Sequence, residues 1–308
     1  MDVGQAGYAY GTGRPPTIAG RDMVTTPHYL ASVAGLDILA RGGSAVDACI
    51  AANATLAVVY NHMAGLGGDL FAQIWDPGEG QVRGINGSGR SGERATIDAY
   101  RSRGWDTIQP RGPLAANTVP GVVDAWDQMH RRYGRLEWAD LLEPAIRYAG
   151  EGYPVSRKYR DYVADYADTL RRFPETTRIL LPHGHAPATG AIFVQPDLAA
   201  SLRSIAAEGA ATFYRGALMQ RIVSGLQRDG GLLTEDDFAS HTSDWVTPLR
   251  TTYHGYEVTE LPPNTQGIAT LMILNLIEGE DLRAMGDGSA DYLHLMTEAV
   301  KLAFADRD

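Results

Sequence analysis

Cysteine is nearly absent. Cys49 is the single one in 308 residues, so no intrachain disulfide can form and no cysteine pair offers a zinc site. A basic surplus is missing too: 37 Asp and Glu stand against 27 Lys and Arg, for a formal net charge of −10. Without cations to neutralise phosphates, nucleic acid is not the expected partner. No stretch reaches the ~20 apolar residues of a membrane span. Met1 to Ile18, rich in Gly, Pro and Tyr, has no continuous apolar run of the signal-peptide kind. The expectation is a soluble, cytoplasmic chain with no membrane partner. The Gly-x-Ser-x-Gly elbow, the Walker loop, the His-Glu-x-x-His pair and the kinase signatures are all lacking. His183-Gly184-His185 has no third ligand nearby in sequence and reads as a solvated loop rather than a metal pair. No metal or organic cofactor is indicated.

What is present suffices for a packed core: 44% of residues are hydrophobic and 21% charged. The length suits one large or two ordinary domains. Residues 1–22 read as a loose arm, and 23–308 as the folded body with a helix-rich middle over about 120–245. Met23-Val24-Thr25-Thr26 reads as a short strand stopped by Pro27. His28 to Arg41 has helical apolar spacing and stops at Gly42-Gly43. Ser44 caps a second helix, Ala45 to Val59, with Asp47 completing an imperfect capping box. That helix is apolar nearly all round, so burial on most faces is expected, and Cys49 within it reads as a small core hydrophobe, a nucleophilic thiol being the minor alternative. Gly65-Leu66-Gly67-Gly68-Asp69 lies between this helix and a strand, the reverse of the order a dinucleotide fingerprint needs. Leu70 to Trp75 and Gln81 to Asn86 form a hairpin around turn residues Asp76 to Gly80, and the loop Gly87 to Gly92 follows with one cation, Arg90. Helices follow through the middle, residues 153–210 reading as helices with polar connections. Thr234 and Asp237 mark a short capped helix. Leu249 to Tyr253 and Tyr256 to Leu261 read as strands joined by His254-Gly255, and Ala290 to Asp306 as the last helix.

One stretch stands out. The strand ending at Leu261 meets Pro262-Pro263, which end a ladder because proline has a fixed φ and no N–H. Gly267 then opens a buried helix. Asn264, Thr265 and Gln266 are thereby held at a strand end, where loop sites tend to sit. By local chemistry alone this is a proline turn with a helix cap. Composition and periodicity lead to a helix-rich α+β protein with glycine-marked strand ends, and to no particular reaction.

The ordered blocks do resemble a family. Thr26-Pro27-His28, Ala34 to Leu39 and Gly42 to Ala48 are similar to the N-terminal block of the gamma-glutamyltransferase (gamma-glutamyltranspeptidase) family, and Gly65 to Asp69 to its glycine-rich block. Val119 to Val123, Leu142 to Ile146, Gly152 to Val155, Phe213 to Gly216, Gly230 to Asp237, Leu261 to Asn264 and Lys301 to Arg307 follow in family order. The resemblance implies an N-terminal nucleophile hydrolase with a four-layer αββα sandwich, made as a precursor that cuts itself into a large and a small subunit. The nucleophile is then the new N-terminal Thr of the small subunit, with its own α-amino group as base. The resemblance places this chain within the large subunit, so no catalytic nucleophile is assigned to it. Its implied partners are the small subunit from the same precursor and a small amide substrate, with a dimer of αβ units left open.

Two departures bear on substrate. The family's glutamyl enzymes carry an Arg-Glu pair after the hairpin, where this sequence has Ser88-Gly89. Arg90 lies two residues on, and reads either as a carboxylate-binding guanidinium in a shifted loop or as a solvated cation. The transferase-type Ser-Ser-Gly-Gly after the prolines is replaced by Asn264-Thr265-Gln266-Gly267. Both point toward the amidohydrolase branches, such as oxamate amidohydrolase or cephalosporin-acylase-like members. Ser88, Gly89, Arg90, Asn264, Thr265 and Gln266 are the expected substrate-binding residues, with Gly67 and Gly68 bracing them. A non-catalytic relative acting as a binding protein is the alternative from another class.

Overall fold

In the computed structural model, residues 17–307 are described. The expected N-terminal arm lies outside the described residues as far as Pro16. No strand forms at Met23 to Thr26. Thr26 is instead tied to the helix behind it, its Oγ1 donating to the His28 carbonyl (2.7 Å) and meeting Ser32 Oγ at 2.9 Å.

Helix α1 (Tyr29–Ala40) starts at His28, whose Nδ1 accepts from Leu30 N, and ends in the left-handed Gly42 (φ 92°). Helix α2 (Ala45–Val59) has a complete capping box: Ser44 Oγ accepts from Asp47 N, and Asp47 Oδ2 accepts from Ser44 N. Asp47 is fully buried, and the same Oδ2 accepts from Arg135 N at 2.9 Å, so the cap also ties a distant turn to this helix. Most of α2 is buried, but Cys49 is exposed, a correction to its reading as a core residue. It shares a strip with exposed Ala45, one turn back, while α1 and later helices cover the other faces.

Strands β1 (Leu70–Asp76) and β2 (Gln81–Gly87) form the expected hairpin, in register from Leu70↔Gly87 to Asp76↔Gln81. Then come α3 (Ile97–Arg101), α4 (Val122–Tyr133) and α5 (Trp138–Glu151), β3 (Tyr153–Pro154), α6 (Arg157–Asp165), α7 (Ala167–Leu170), α8 (Pro174–Leu180), a 3-10 turn at Pro182–Gly184, and β4 (Ile192–Phe193). The segment 153–210 is therefore not purely helical. β3 and β4 pair antiparallel, and two-residue strands are too short to show any alternation in sequence. Helices α9 (Pro196–Glu208), α10 (Ala211–Arg215), α11 (Ala217–Arg228) and α12 (Glu235–Ala239) complete the middle, the last with a full Thr234–Asp237 capping box. Strand β5 (Asp244–Val246), not anticipated, adds to β2 to give an antiparallel sheet of order β1-β2-β5. A separate hairpin, β6 (Leu249–Tyr253) and β7 (Tyr256–Glu260), turns at His254 (φ 47°) and Gly255 (φ 81°). Helices α13 (Gly267–Ile277), α14 (Leu282–Met285) and α15 (Ala290–Arg307) end the described chain.

The core lies where α2, α4, α5 and α9 meet, around Trp126, Leu141, Leu142, Leu202 and Ile205. Trp126 Nε1 donates to Asn53 Oδ1 (2.9 Å), so the largest core side chain leaves no buried donor unpaired. This block supports the inner face of the sheet through Ile85. The outer face carries exposed Phe71 and Trp75 on β1, and among the described residues β1 pairs with β2 alone.

Candidate functional site

Three loops converge where β1 begins and β2 ends. At their centre is a closed circuit of side chains. Ser88 N donates to Asn86 Oδ1 (3.0 Å), Asn86 Nδ2 donates to Asn264 Oδ1 (2.8 Å), and Asn264 Nδ2 donates to Ser88 Oγ (2.8 Å). The circuit joins the end of β2 to the double-proline turn across 176 residues of sequence. The Pro263–Asn264 peptide there is cis. Gly89 N donates to Asp69 Oδ1 (3.2 Å), which ties the same loop to the glycine-rich segment.

Backbone crowding explains the glycines. A Cβ on Gly89 would lie 1.6 Å from the Val119 carbonyl oxygen, and one on Gly121 would lie 2.0 Å from that of Gly87. Only glycine permits two chains to pass at that range. Val119 N donates to Arg90 O (3.0 Å), and Gly121 N and Val122 N both donate to Gly68 O (3.0 and 3.2 Å). Gly68 thus braces the site by its carbonyl, whereas nothing lies within 4 Å of a Cβ built on Gly67. Behind this crossing, Tyr214 OH donates to Pro120 O (2.8 Å) and accepts from Asp124 N, and its ring stacks on His241. His241 is buried with Nε2 unpartnered, and burial pushes its pKa down, so the imidazole is held neutral.

The six residues expected from sequence separate into groups. Ser88, Gly89 and Asn264 come together in the circuit and its clamp. Arg90 stands beside them, its guanidinium 3.7 Å from Asp244 Oδ2 and its side chain 69% exposed, which makes a weak, solvent-screened pair. Thr265 turns back on its own turn, Oγ1 donating to Leu261 O (2.8 Å), and Gln266 Oε1 accepts from Arg307 Nη1 (2.6 Å). Neither Asn264 nor Thr265 takes the N-cap position of α13, which Gln266 fills without a side-chain bond. Asn264, Thr265 and Gln266 nonetheless line an open cleft of about 500 Å³, together with Phe71, Gln73 and Glu260.

Asn86, Asp69 and Asp244 escaped sequence reasoning. Asn86 was legible as a strand end two residues before Ser88, but its pairing to Asn264 exists only across the fold. Ser88 Oγ is bonded to an amide rather than to a base, so nothing in this arrangement activates it as a nucleophile. The circuit presents neutral donors and acceptors, suited to orienting a polar, uncharged group. One exposed cation, Arg90, stands near the carboxylate of Asp244, and the carboxylate of Asp69 holds the adjacent Gly89 N–H.

The sequence model of the gamma-glutamyltranspeptidase family matches residues 31–308. The chain is 46% identical over 291 residues to the "Glutathione hydrolase-like YwrD proenzyme" of Bacillus subtilis, covering 94% of this chain and 55% of that protein. It is 40% identical over 291 residues to the "Oxamate amidohydrolase proenzyme" of Klebsiella pneumoniae, covering 93% and 54%. Among solved structures it superposes on Helicobacter pylori gamma-glutamyltranspeptidase with a TM-score of 0.90 at 30% identity, covering 95% of this chain and 85% of that one. The chain spans about half the length of the curated relatives it matches. With the mixed helix-and-sheet fold of those enzymes and its motif blocks in their order, the chain belongs to the gamma-glutamyltranspeptidase family.

Proposed function

We propose that this chain is the large-subunit part of an N-terminal nucleophile amidohydrolase, which takes the acyl group of a small amide onto a threonine of a small subunit cut from the same precursor. The observation that carries this reading is the Asn86–Ser88–Asn264 circuit. It is a rigid, neutral, polar surface at the end of the sheet, with donors left to hold an acyl group but no base to activate a nucleophile of its own. A second chain has a seat beside it. The outer edge of β1 is unpaired among the described residues, and the apolar side chains Phe71 and Trp75 are exposed there. Strands added at that edge would extend the sheet toward the four-layer αββα sandwich. The curated relatives, named as proenzymes and about twice as long, support a precursor that is processed.

Hydrolysis rather than transfer between γ-glutamyl donors and acceptors is favoured by one specific feature. The cation nearest the circuit, Arg90, is exposed and partly neutralised by Asp244, a poor clamp for an α-carboxylate. The test is intact mass and a denaturing gel on protein expressed from the complete gene, followed by a screen of γ-glutamyl anilides and oxamate. Two fragments, the smaller beginning with Thr, together with turnover of an amide, are expected. A single uncut chain without turnover would overturn the proposal in favour of a binding protein.

A further inference from the structure

A cavity of about 820 Å³ lies on the other side of the glycine-rich loop, between Gly65–Gly67, the α8 segment with its 3-10 turn, and the entry to α9. None of the six expected site residues lines it. Its size falls within the range of small-molecule sites, ~300–1,000 Å³. Leu66, Ile179, Leu180, Phe193, Val194 and Leu198 make the walls apolar.

Of the polar groups that border it, several are engaged with neighbours, while the imidazoles of His183 and His185 stand exposed on the lining. Asn61 Nδ2 donates to Gln195 Oε1 (3.1 Å), and buried Gln195 donates on to Val58 O (3.0 Å). The guanidinium of Arg178 is held between Glu175 (3.0 Å) and Asp197 (2.9 Å). Two carboxylates against one guanidinium leave Arg178 no surplus charge to attract an anion, and a bare cation would meet apolar walls. The apolar walls suit an uncharged, apolar or aromatic group, with the remaining hydrogen-bonding capacity of Asn61, His183 and His185 on the lining available to its polar atoms.

Its position relates it to the circuit. Gly67 lines the cavity; Asp69, two residues on, accepts from Gly89 N. Two residues of chain reach at most ~7 Å. The loop between is pinned by the bonds from Gly121 and Val122 to Gly68 O. One stiff segment thus forms a wall of the cavity and the anchor of the acyl-binding loop. Resting on the reading above, we infer that this cavity is the subsite for the amine half of the substrate, and that it selects amides whose leaving amine carries an uncharged aromatic or bulky aliphatic group.

The test uses the complete protein and the variant Ala188→Trp. Ala188 lines the cavity, is exposed, and holds its turn through a backbone bond, so the indole can fill the space without disturbing the core. Two amides with one acyl group are compared, the 7-amino-4-methylcoumarin amide and the primary amide. The wild-type protein should prefer the coumarin amide in kcat/KM by at least tenfold. A188W should abolish that preference while leaving the primary amide within twofold. Binding of free 7-amino-4-methylcoumarin, measured by fluorescence, should weaken at least tenfold in A188W. An unchanged preference, or a change instead in the preference between acyl groups, would overturn the inference, as would coumarin affinity that is undetectable or unaltered by the variant. If no amide is turned over, the reading as an amidohydrolase fails, and the binding arm still decides whether the cavity takes an aromatic amine.

Discussion

Replacing Gly89 with Ala perturbs the site through backbone contact alone. The new Cβ would stand 1.6 Å from the Val119 carbonyl oxygen and 2.6 Å from its carbon. Neither atom can rotate away as a side chain would, so the two loops must part by roughly 1.5–2 Å to reach ordinary contact distance. That separation removes the bond from Val119 N to Arg90 O (3.0 Å) and the one from Gly89 N to Asp69 (3.2 Å). The first is worth about 0.5–1.5 kcal/mol and the second, to a carboxylate, about 1.5–3. Alanine also restricts the unfolded chain, which returns about 0.4–1 kcal/mol. The net expectation is a destabilisation of about 1–4 kcal/mol, toward the lower end because the Asp69 bond is exposed. Urea unfolding of the complete protein reads it as a lowered midpoint at unchanged slope. Gly67→Ala is the control, since no atom lies within 4 Å of its Cβ, and it should stay within about 0.5 kcal/mol of the parent. A midpoint for Gly89→Ala indistinguishable from that of Gly67→Ala would refute the crowding argument.

Other perturbations read different parts of the molecule. Asn264→Ala opens the circuit and leaves Ser88 Oγ and Asn86 Nδ2 without that partner, so kcat/KM should fall about tenfold (~1.4 kcal/mol) with under 1 kcal/mol lost in stability; unchanged kcat/KM would remove the circuit from the site. Asp47→Ala deletes a capping box and the buried acceptor for Arg135 N, and should lower stability by about 2–4 kcal/mol in denaturant; a loss under 1 kcal/mol would show that the buried carboxylate is not an anchor. Burial pushes down the pKa values of His28, His62 and His241, with Lys158 also acting on His62. The folded state therefore binds fewer protons than the unfolded one below the ordinary histidine value of about 6.5. The stability these groups contribute is present above that pH and lost as pH falls through the folded values. Unfolding midpoints should drop between pH 7.5 and 5.5, and His241→Asn should shrink the drop; an equal drop in the variant would mean that His241 titrates as it does in the unfolded chain.

The local grammar of this protein is legible in its sequence, because its causes are local. Ser44 with Asp47, Thr234 with Asp237, the Asp76–Gly80 turn and Gly255 act within a few residues of themselves, so α1, α2, α12 and the two hairpins fall where spacing and caps place them. Helix α13 starts at Gly267 as its spacing predicts, but it has no side-chain cap and buries only Ala269, Leu271 and Ile277, so it is not the buried helix expected. The ordered blocks carried the family, and the strand ends at Ser88 and Asn264 marked the neighbourhood of the site. What the sequence could not decide depends on which segments meet. Cys49 is exposed because α1 and its neighbours cover the other faces of α2, a matter of packing direction and not of the apolar run around it. β5 exists because β2 offers it an edge. Thr265 and Gln266 are, like Asn264, uncharged polar residues at the same strand end in sequence. Only the tertiary structure turns one into its own turn, hands the next to Arg307, and leaves Asn264 to close a circuit with residues 176 and 178 positions away. Periodicity reports which face of an element is apolar; the pairing of polar side chains across such separations is set by the packing of whole elements, and it is settled only when the chain is folded.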